Sequence, residues 1–250
     1  GRLWLEELVW LLQNDLNTEE ARKKSLRVHR VIPIEISAGP ISNMEKLEKV
    51  KEQRIMSTFM YAKFFREQLS LSTQSSQGPK VIVMLRNPKD VLVSYYHFYR
   101  MAMMTGNFPG TWDEFFQLAQ DKKLNLGDWF DHVSSWWSLG KDKANFMFVH
   151  YEDAILDPHE TIGAIAKFLN KDVTPTETQM LSEHLCFESM KENPTTNMKD
   201  IPFYKQEISE FFRKGQVGDW RSHMSEDQSD YIDKMYEERI RSLGLKMKFI

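Results

Sequence analysis

KVIVMLRNPKDVLVSYYHF, residues 80–98, passes from an uninterrupted apolar run to an amphipathic pattern across Asn87-Pro88. A continuous apolar run of about 4–8 residues suits a buried strand, so residues 81–85 are predicted as one. Proline is tolerated in a first helical turn, where its missing N–H has no partner to lose, and the spacing beyond it predicts a helix over 89–103. A strand that feeds a helix N-terminus leaves backbone N–H groups and the positive end of the helix dipole available to an anion. Arg86 stands at the carboxyl end of this strand, and Ser94 follows eight residues later on the helix. Taken singly, Arg86 suits a surface ion pair with Asp90, and Ser94 suits a small packing residue. Their joint placement beside a helix start points to a phosphate.

A second run, FRKGQVGDW at 212–220, has the same character: Arg213 and Lys214 put two cations beside Gly215, which has no side chain. The structural alternative is that the two cations finish a helix beginning near Gln206, with Gly215 as its left-handed terminal residue. Around these two runs, apolar strands alternate with helices. Helices are predicted at 3–14, 112–121, 127–138, 158–169, 174–185 and 227–242, and a second strand at 145–151. Strands separated by helices run parallel, which predicts an α/β fold with helices covering the sheet. Ligands of such sheets bind at the carboxyl ends of the strands, where Arg86 and Tyr151 lie.

Composition agrees with this. A chain of 250 residues suits one substantial core, and a net charge of −3 with mixed signs excludes a broad basic face for nucleic acid. One cysteine, Cys186, excludes an internal disulfide framework and fits a reducing compartment. With no bilayer-length apolar run and no signal peptide in view, the expectation is a cytoplasmic protein without membrane partners. HExxH, clustered Cys and His, and EF-hand patterns are lacking, so no metal is expected. The segment SLSTQSSQG, 70–78, reads as a surface loop.

Five runs occur in one order: RNPKDVLVSYYHF from Arg86, GDWFDHVSSWW from Gly127, HYEDAILDP from His150, CFESMKENPTTN from Cys186 and FRKGQVGDW from Phe212. Together they resemble the cytosolic sulfotransferase family over the whole chain. The resemblance implies one sulfotransferase domain over 1–250, with a central parallel sheet flanked by helices in a P-loop-like nucleotide fold. It implies transfer of a sulfuryl group from 3′-phosphoadenosine 5′-phosphosulfate (PAPS), leaving PAP, to a hydroxyl or amine of a small acceptor. PAPS needs two anion sites and a flat apolar slot. Arg86, Ser94, Arg213, Lys214 and Gly215 match the family's 3′-phosphate site, where Arg forks, a Ser hydroxyl and an open backbone N–H suit phosphate oxygens. Trp4 and Phe187 match its adenine-stacking pair, with Tyr151 and Met190 nearby.

The 5′-phosphosulfate loop of the family has the form Lys-Ser-Gly-Thr-Thr-Trp. Gly1-Arg2-Leu3-Trp4 falls inside it, so the Lys and the strand before it are expected upstream, and Arg2 and Leu3 stand where the family carries Thr. Arg2 offers positive charge in place of a hydroxyl. The family's general base is a His in a Lys-Thr-His-Leu-Pro turn. Aligned without a gap, Ser57 replaces the Lys and Phe59 the His. A preferred second register expects roughly five further residues, the His among them, between Thr58 and Phe59. Ser94 is a possible auxiliary. Phe98 matches an aromatic that gates the acceptor, with Tyr61 and His97 as further acceptor-side residues. Met101, Met103, Met104 and Phe108 offer adaptable apolar surface, or else Met101 to Met104 finish a buried helix. The family's short dimer motif aligns with Arg221–Asp230, where Glu226 stands in place of an apolar residue, so a homodimer through this motif is doubtful. Three other functions remain open: a catalytically silent PAPS- or PAP-binding protein, a P-loop small-molecule kinase, and a membrane-anchored carbohydrate sulfotransferase.

Overall fold

The computed structural model describes residues 1–35, 42–51, 53–71 and 78–250. Its internal contacts divide into two compact units, Gly1–Met60 with Asp157–Ile201, and Tyr61–Leu156 with Pro202–Ile250.

In the first unit, helix Arg2–Gln13 buries Leu8, Leu11 and Leu12. Glu6 and Glu7 are buried on it too. A charge out of water must be paired, and the Glu7 carboxylate meets the Arg30 guanidinium at 2.7 Å and His184 Nε2 at 3.0 Å. Arg30 comes from a single π turn, Leu26–Arg30, where its Nε also donates to the Lys24 carbonyl. Strand β1, Ile32–Pro33, then pairs in parallel with β2, Met56–Ser57. Helices Pro158–Phe168 and Pro175–His184 each begin with proline at the first turn and are capped by Asp157 and Thr174. Helix Phe187–Glu192 follows.

In the second unit, β3, Val81–Leu85, pairs in parallel with β4, Phe146–His150, with Val81 opposite Phe146 and Leu85 opposite His150. The parallel pairing of these two strands is as the sequence predicts. Val83, Leu85 and Phe146 join Leu92 of helix Pro88–Met101, Phe130, Val133 and Trp136 of helix Trp129–Gly140, and Ile232 and Tyr236 of helix Glu226–Arg239 in one apolar core. Helix Trp112–Gln120 adds Phe116, and its Phe115 packs with Tyr99 in an adjoining cluster.

Four expectations change in detail. The second strand stops at His150, and Tyr151 opens the helix Tyr151–Leu156. Helix Pro88–Met101 ends early because Ala102 turns extended and forms an antiparallel bridge with Tyr204. Met101 is therefore buried, whereas Met103 and Met104 are 54% and 50% exposed, so they do not finish a buried helix. No helix begins near Gln206; residues 206–208 form a turn and 209–214 run as bends and irregular chain, so Arg213 and Lys214 end no helix. Of the 70–78 loop, residues 72–77 lie outside the described residues, and helix Arg66–Leu71 runs up to them. Among the described residues no helix is long and apolar enough to cross a membrane.

Candidate functional site

The end of β3 is fixed by Asn87. This residue is fully buried; its side chain accepts from the Lys89 N–H at 3.0 Å, and its own N–H donates to Glu152 Oε1 at 2.8 Å. Burial pushes the Glu152 carboxyl above its ordinary pKa. With the turn held from both sides, the Arg86 guanidinium lies over the Tyr151 ring at 4.3 Å and donates to the Gln216 carbonyl at 3.3 Å. Burial also raises the Tyr151 phenol pKa. Arg86 Nε is buried and makes no hydrogen bond among the described residues, leaving donor capacity facing inward.

The ion pair expected between Arg86 and Asp90 is long, at 4.0 Å. Asp90 has a stronger engagement: its two carboxylate oxygens accept the Gly218 N–H at 2.8 Å and the Trp220 N–H at 3.0 Å. The first turn of helix Pro88–Met101 thereby fastens the segment that follows Arg213, Lys214 and Gly215. Asp219 faces the two cations, with Oδ2 on the Arg213 guanidinium and Oδ1 on Lys214 Nζ, both at 2.5 Å. Burial alone would raise the Asp219 carboxyl; the hydrogen bonds and charges of Lys214 and Arg213 outweigh it and hold the pKa at about 2. Gly215 has φ +65°, the left-handed region glycine adopts without strain. Two cations and a glycine backbone thus stand together, with Arg86 bonded to the residue after Gly215.

Ser94 is exposed on helix Pro88–Met101. One turn later, His97 Nδ1 lies 3.2 Å from Ser209 Oγ and its Nε2 lies 3.4 Å from His223 Nε2. Burial, then Arg213, His223 and Arg100, lower the His97 pKa to about 4, against the opposing charge of Asp219. Phe98 packs edge-on against Tyr204 and Phe211, ring centres 5.9 and 6.5 Å apart. Tyr61 holds the chain in place at Gly127-Asp128. Its hydroxyl accepts from the Asp128 N–H at 3.0 Å, so close to Gly127 that any Cβ there would collide with it.

In the first unit, Gly1 is the N-cap of helix Arg2–Gln13, and Leu3 and Trp4 are buried in its first turn. Arg2 pairs with Glu6 at 3.6 Å and stacks on the Phe59 ring at 3.9 Å. Arg2 and Phe59, which the resemblance sets in place of the family's Thr and, in the gapless register, its His, are therefore in contact. In the sequence Phe59 follows Thr58. Glu35 Oε1 gathers this turn, accepting from the Thr58 hydroxyl and from the Phe59 and Met60 N–H groups, the latter two at 2.7 and 3.0 Å. Phe187 opens helix Phe187–Glu192, where Cys186 is the N-cap and Met190 is buried.

Sequence reasoning named Asp90 only as a partner for Arg86, missing its hold on the Gly218 and Trp220 N–H groups, and missed Glu152, Asp219, His223, Tyr204 and Phe211. Asp219 carried a signal, an acid four residues beyond an Arg-Lys-Gly triplet. The others carried none, since their roles depend on partners more than fifty residues away. Among the described residues no group of three or more His, Cys, Asp or Glu is arranged to hold a metal ion.

Comparison with known proteins adds a consistent set of likenesses. A family model described as a sulfotransferase domain matches residues 1–244. Sulfotransferase 1C2 of Rattus norvegicus is 34% identical over 248 residues, covering 98% of this chain and 81% of its own length. Sulfotransferase 1B1 of Mus musculus is 33% identical, with the same coverage of both chains. The crystal structure of retinol dehydratase in complex with androsterone and the inactive cofactor PAP superposes with a TM-score of 0.83 at 26% identity, over 100% of this chain and 80% of that one. Mouse sulfotransferase SULT7A1 complexed with PAP gives 0.70 at 27% identity, over 96% and 82%.

Proposed function

The chain belongs to the sulfotransferase family, and from that premise we propose that it transfers the sulfuryl group of PAPS to a hydroxyl or amine of a small, largely apolar acceptor. One observation carries the proposal. Arg213 and Lys214, beside Gly215, are preassembled around a buried carboxylate, and Arg86, bonded to the adjoining loop, brings an unsatisfied buried donor. A set of cations held ready for a tetrahedral dianion is what a 3′-phosphate requires. Retinol dehydratase and SULT7A1, which this chain resembles, were each crystallised with PAP. Ser94 adds a hydroxyl to the set, and Trp4 and Phe187 are the aromatic residues assigned to the adenine.

In the reaction, the acceptor oxygen or nitrogen attacks sulfur in line, and the bond from sulfur to the bridging oxygen breaks. The bonding electrons stay on the 5′-phosphate of departing PAP, and the acceptor proton leaves to a base. Such a loose transfer asks the protein for positioning and charge stabilisation more than for covalent chemistry. The residues around Arg213 anchor the nucleotide by the end remote from the reacting bond. Arg2, stacked on Phe59, puts a cation at the helix start assigned to the 5′-phosphate. Phe59, which stands at the family histidine's place in the gapless register, takes no proton and is not the base. The apolar acceptor follows from the Phe98–Tyr204–Phe211 aromatic cluster and the exposed methionines 103 and 104. Androsterone and retinol, small apolar alcohols, are bound in the retinol dehydratase structures.

The test is a turnover assay with PAPS and a panel of phenols, steroid alcohols and amines, with PAP binding measured on the same sample. Sulfated product with PAP binding is expected. Tight PAP binding without product would make the chain a nucleotide-binding member with the chemistry lost. Preference for ATP over PAP would overturn the proposal.

A further inference from the structure

His97, His223 and Ser209 are joined in one line of hydrogen-bonding contacts within the second unit, and its far end rests on a backbone carbonyl. His223 Nδ1 lies 3.3 Å from the Asp219 carbonyl and 3.0 Å from Ser222 Oγ, which itself donates to that carbonyl at 2.8 Å. A carbonyl only accepts, so the tautomer that satisfies the Asp219 carbonyl from both Ser222 and His223 has the proton on His223 Nδ1 and leaves its Nε2 an acceptor. His97 must then donate from Nε2 across the 3.4 Å separation, which leaves His97 Nδ1 to accept from the Ser209 hydroxyl at 3.2 Å. A further proton on His97 goes to Nδ1, with the Ser209 hydroxyl turning from donor to acceptor. Neither hydrogen bond of His97 is lost.

Burial and the charges around His97 explain why it is neutral before a ligand arrives. Arg213 and Arg100 oppose protonation of His97, as do His223 and burial, while Asp219 alone favours it. The remaining faces are the edge of Tyr96 against His97 and Trp112 against His223. A phosphate dianion on Arg213 and Lys214 would offset the opposing charge of Arg213 and favour a proton on His97.

Resting on the PAPS reading above, we propose that His97 and His223 form one proton-sharing unit of the 3′-phosphate site, which selects a doubly charged phosphate by taking up a proton from solvent as that phosphate binds beside Arg213. The pair is a positioning and specificity device; it does not touch the sulfur. Linkage sets the sign: a group whose pKa rises on binding makes binding tighten as pH falls, by up to about tenfold per unit of rise.

The experiment is isothermal titration of the intact chain with PAP and with adenosine 5′-phosphate, at about pH 6, near the histidine range, in two buffers of different ionisation heat, which counts protons exchanged. Phosphate meeting cations by itself releases protons, so net uptake with PAP beyond that with adenosine 5′-phosphate comes from the protein. This uptake is expected in the wild type and is expected to vanish in His97→Gln and His223→Gln. The preference for PAP over adenosine 5′-phosphate should fall several-fold in both variants at that pH and converge with the wild type at alkaline pH. Equal proton counts for the two nucleotides in the wild type, a comparison that needs no variant, or undiminished uptake in both variants would overturn the inference. Failure of the wild type to bind PAP at all would instead remove the PAPS reading on which it rests.

Discussion

Asp219 decides how Arg213 and Lys214 stand before a phosphate reaches them. Its two oxygens hold one cation each, so the side chains lose little freedom on binding and need only exchange one anion for another, or share it. Arg213→Ala removes a charge-assisted contact and is expected to weaken PAP binding by roughly 2–4 kcal/mol, read by titration calorimetry. Unchanged affinity would take Arg213 out of the site. Asp219 also makes a prediction about acid. Its pKa in the folded chain is about 2, below the ordinary 3.8. A carboxyl depressed on folding stabilises the fold above its unfolded pKa, and the contribution is lost as pH falls toward the folded value. The urea midpoint of wild type should therefore exceed that of Asp219→Asn near neutral pH, with the gap closing from about pH 4 down to about pH 2. A gap that persists at the acid end would mean the carboxylate charge is not what holds the loop.

Helix Pro88–Met101 joins the strand end to the phosphate loop through its first turn. Proline fills a position that needs no donor, Asn87 caps, and Asp90 complements the helix dipole while reaching across to the Gly218 and Trp220 N–H groups. In Asp90→Asn one of the two acceptors becomes a donor facing an N–H. The expected cost is about 1–3 kcal/mol in chemical denaturation, with weaker PAP binding because the Arg213 loop loses its anchor. Stability lost without any change in PAP affinity would separate the anchor from the site. This element also marks what the sequence could convey. The Val81–Leu85 strand, the helix after Pro88 and their parallel partner were legible, because continuous and helical apolar periods are local signals. The cations of the phosphate site were legible because they cluster in two short runs. The carboxylates that aim them were not: Asp90 and Glu152 read as ordinary surface acids until the fold buries them against distant N–H groups. The turn at Thr58 was not legible for a related reason: Glu35, twenty-three residues away, gathers it.

At the scale of the whole chain, 33 Lys and Arg against 36 Asp and Glu give a net charge of −3, so no overall positive field draws an anionic nucleotide in. Affinity must come from contacts at the site, and those contacts bind the folded chain only. Any such ligand stabilises by mass action, about 2.7 kcal/mol at a free concentration of 100 times its dissociation constant. For a chain of this size each kcal/mol moves the unfolding temperature by about 2–4 °C, so PAP at that excess is expected to raise the melting temperature by about 5–11 °C. Adenosine 5′-phosphate at the same concentration lacks the 3′-phosphate, leaves Arg86, Arg213 and Lys214 unused, and should give only a small part of the shift. Thermal denaturation followed with each nucleotide checks this, and chelator added to the PAP sample should leave the shift unchanged if no metal takes part. Equal shifts from the two nucleotides would mean that the bound phosphate is the 5′ one, and would move the centre of the site from the Arg213 loop to the helix that begins at Arg2.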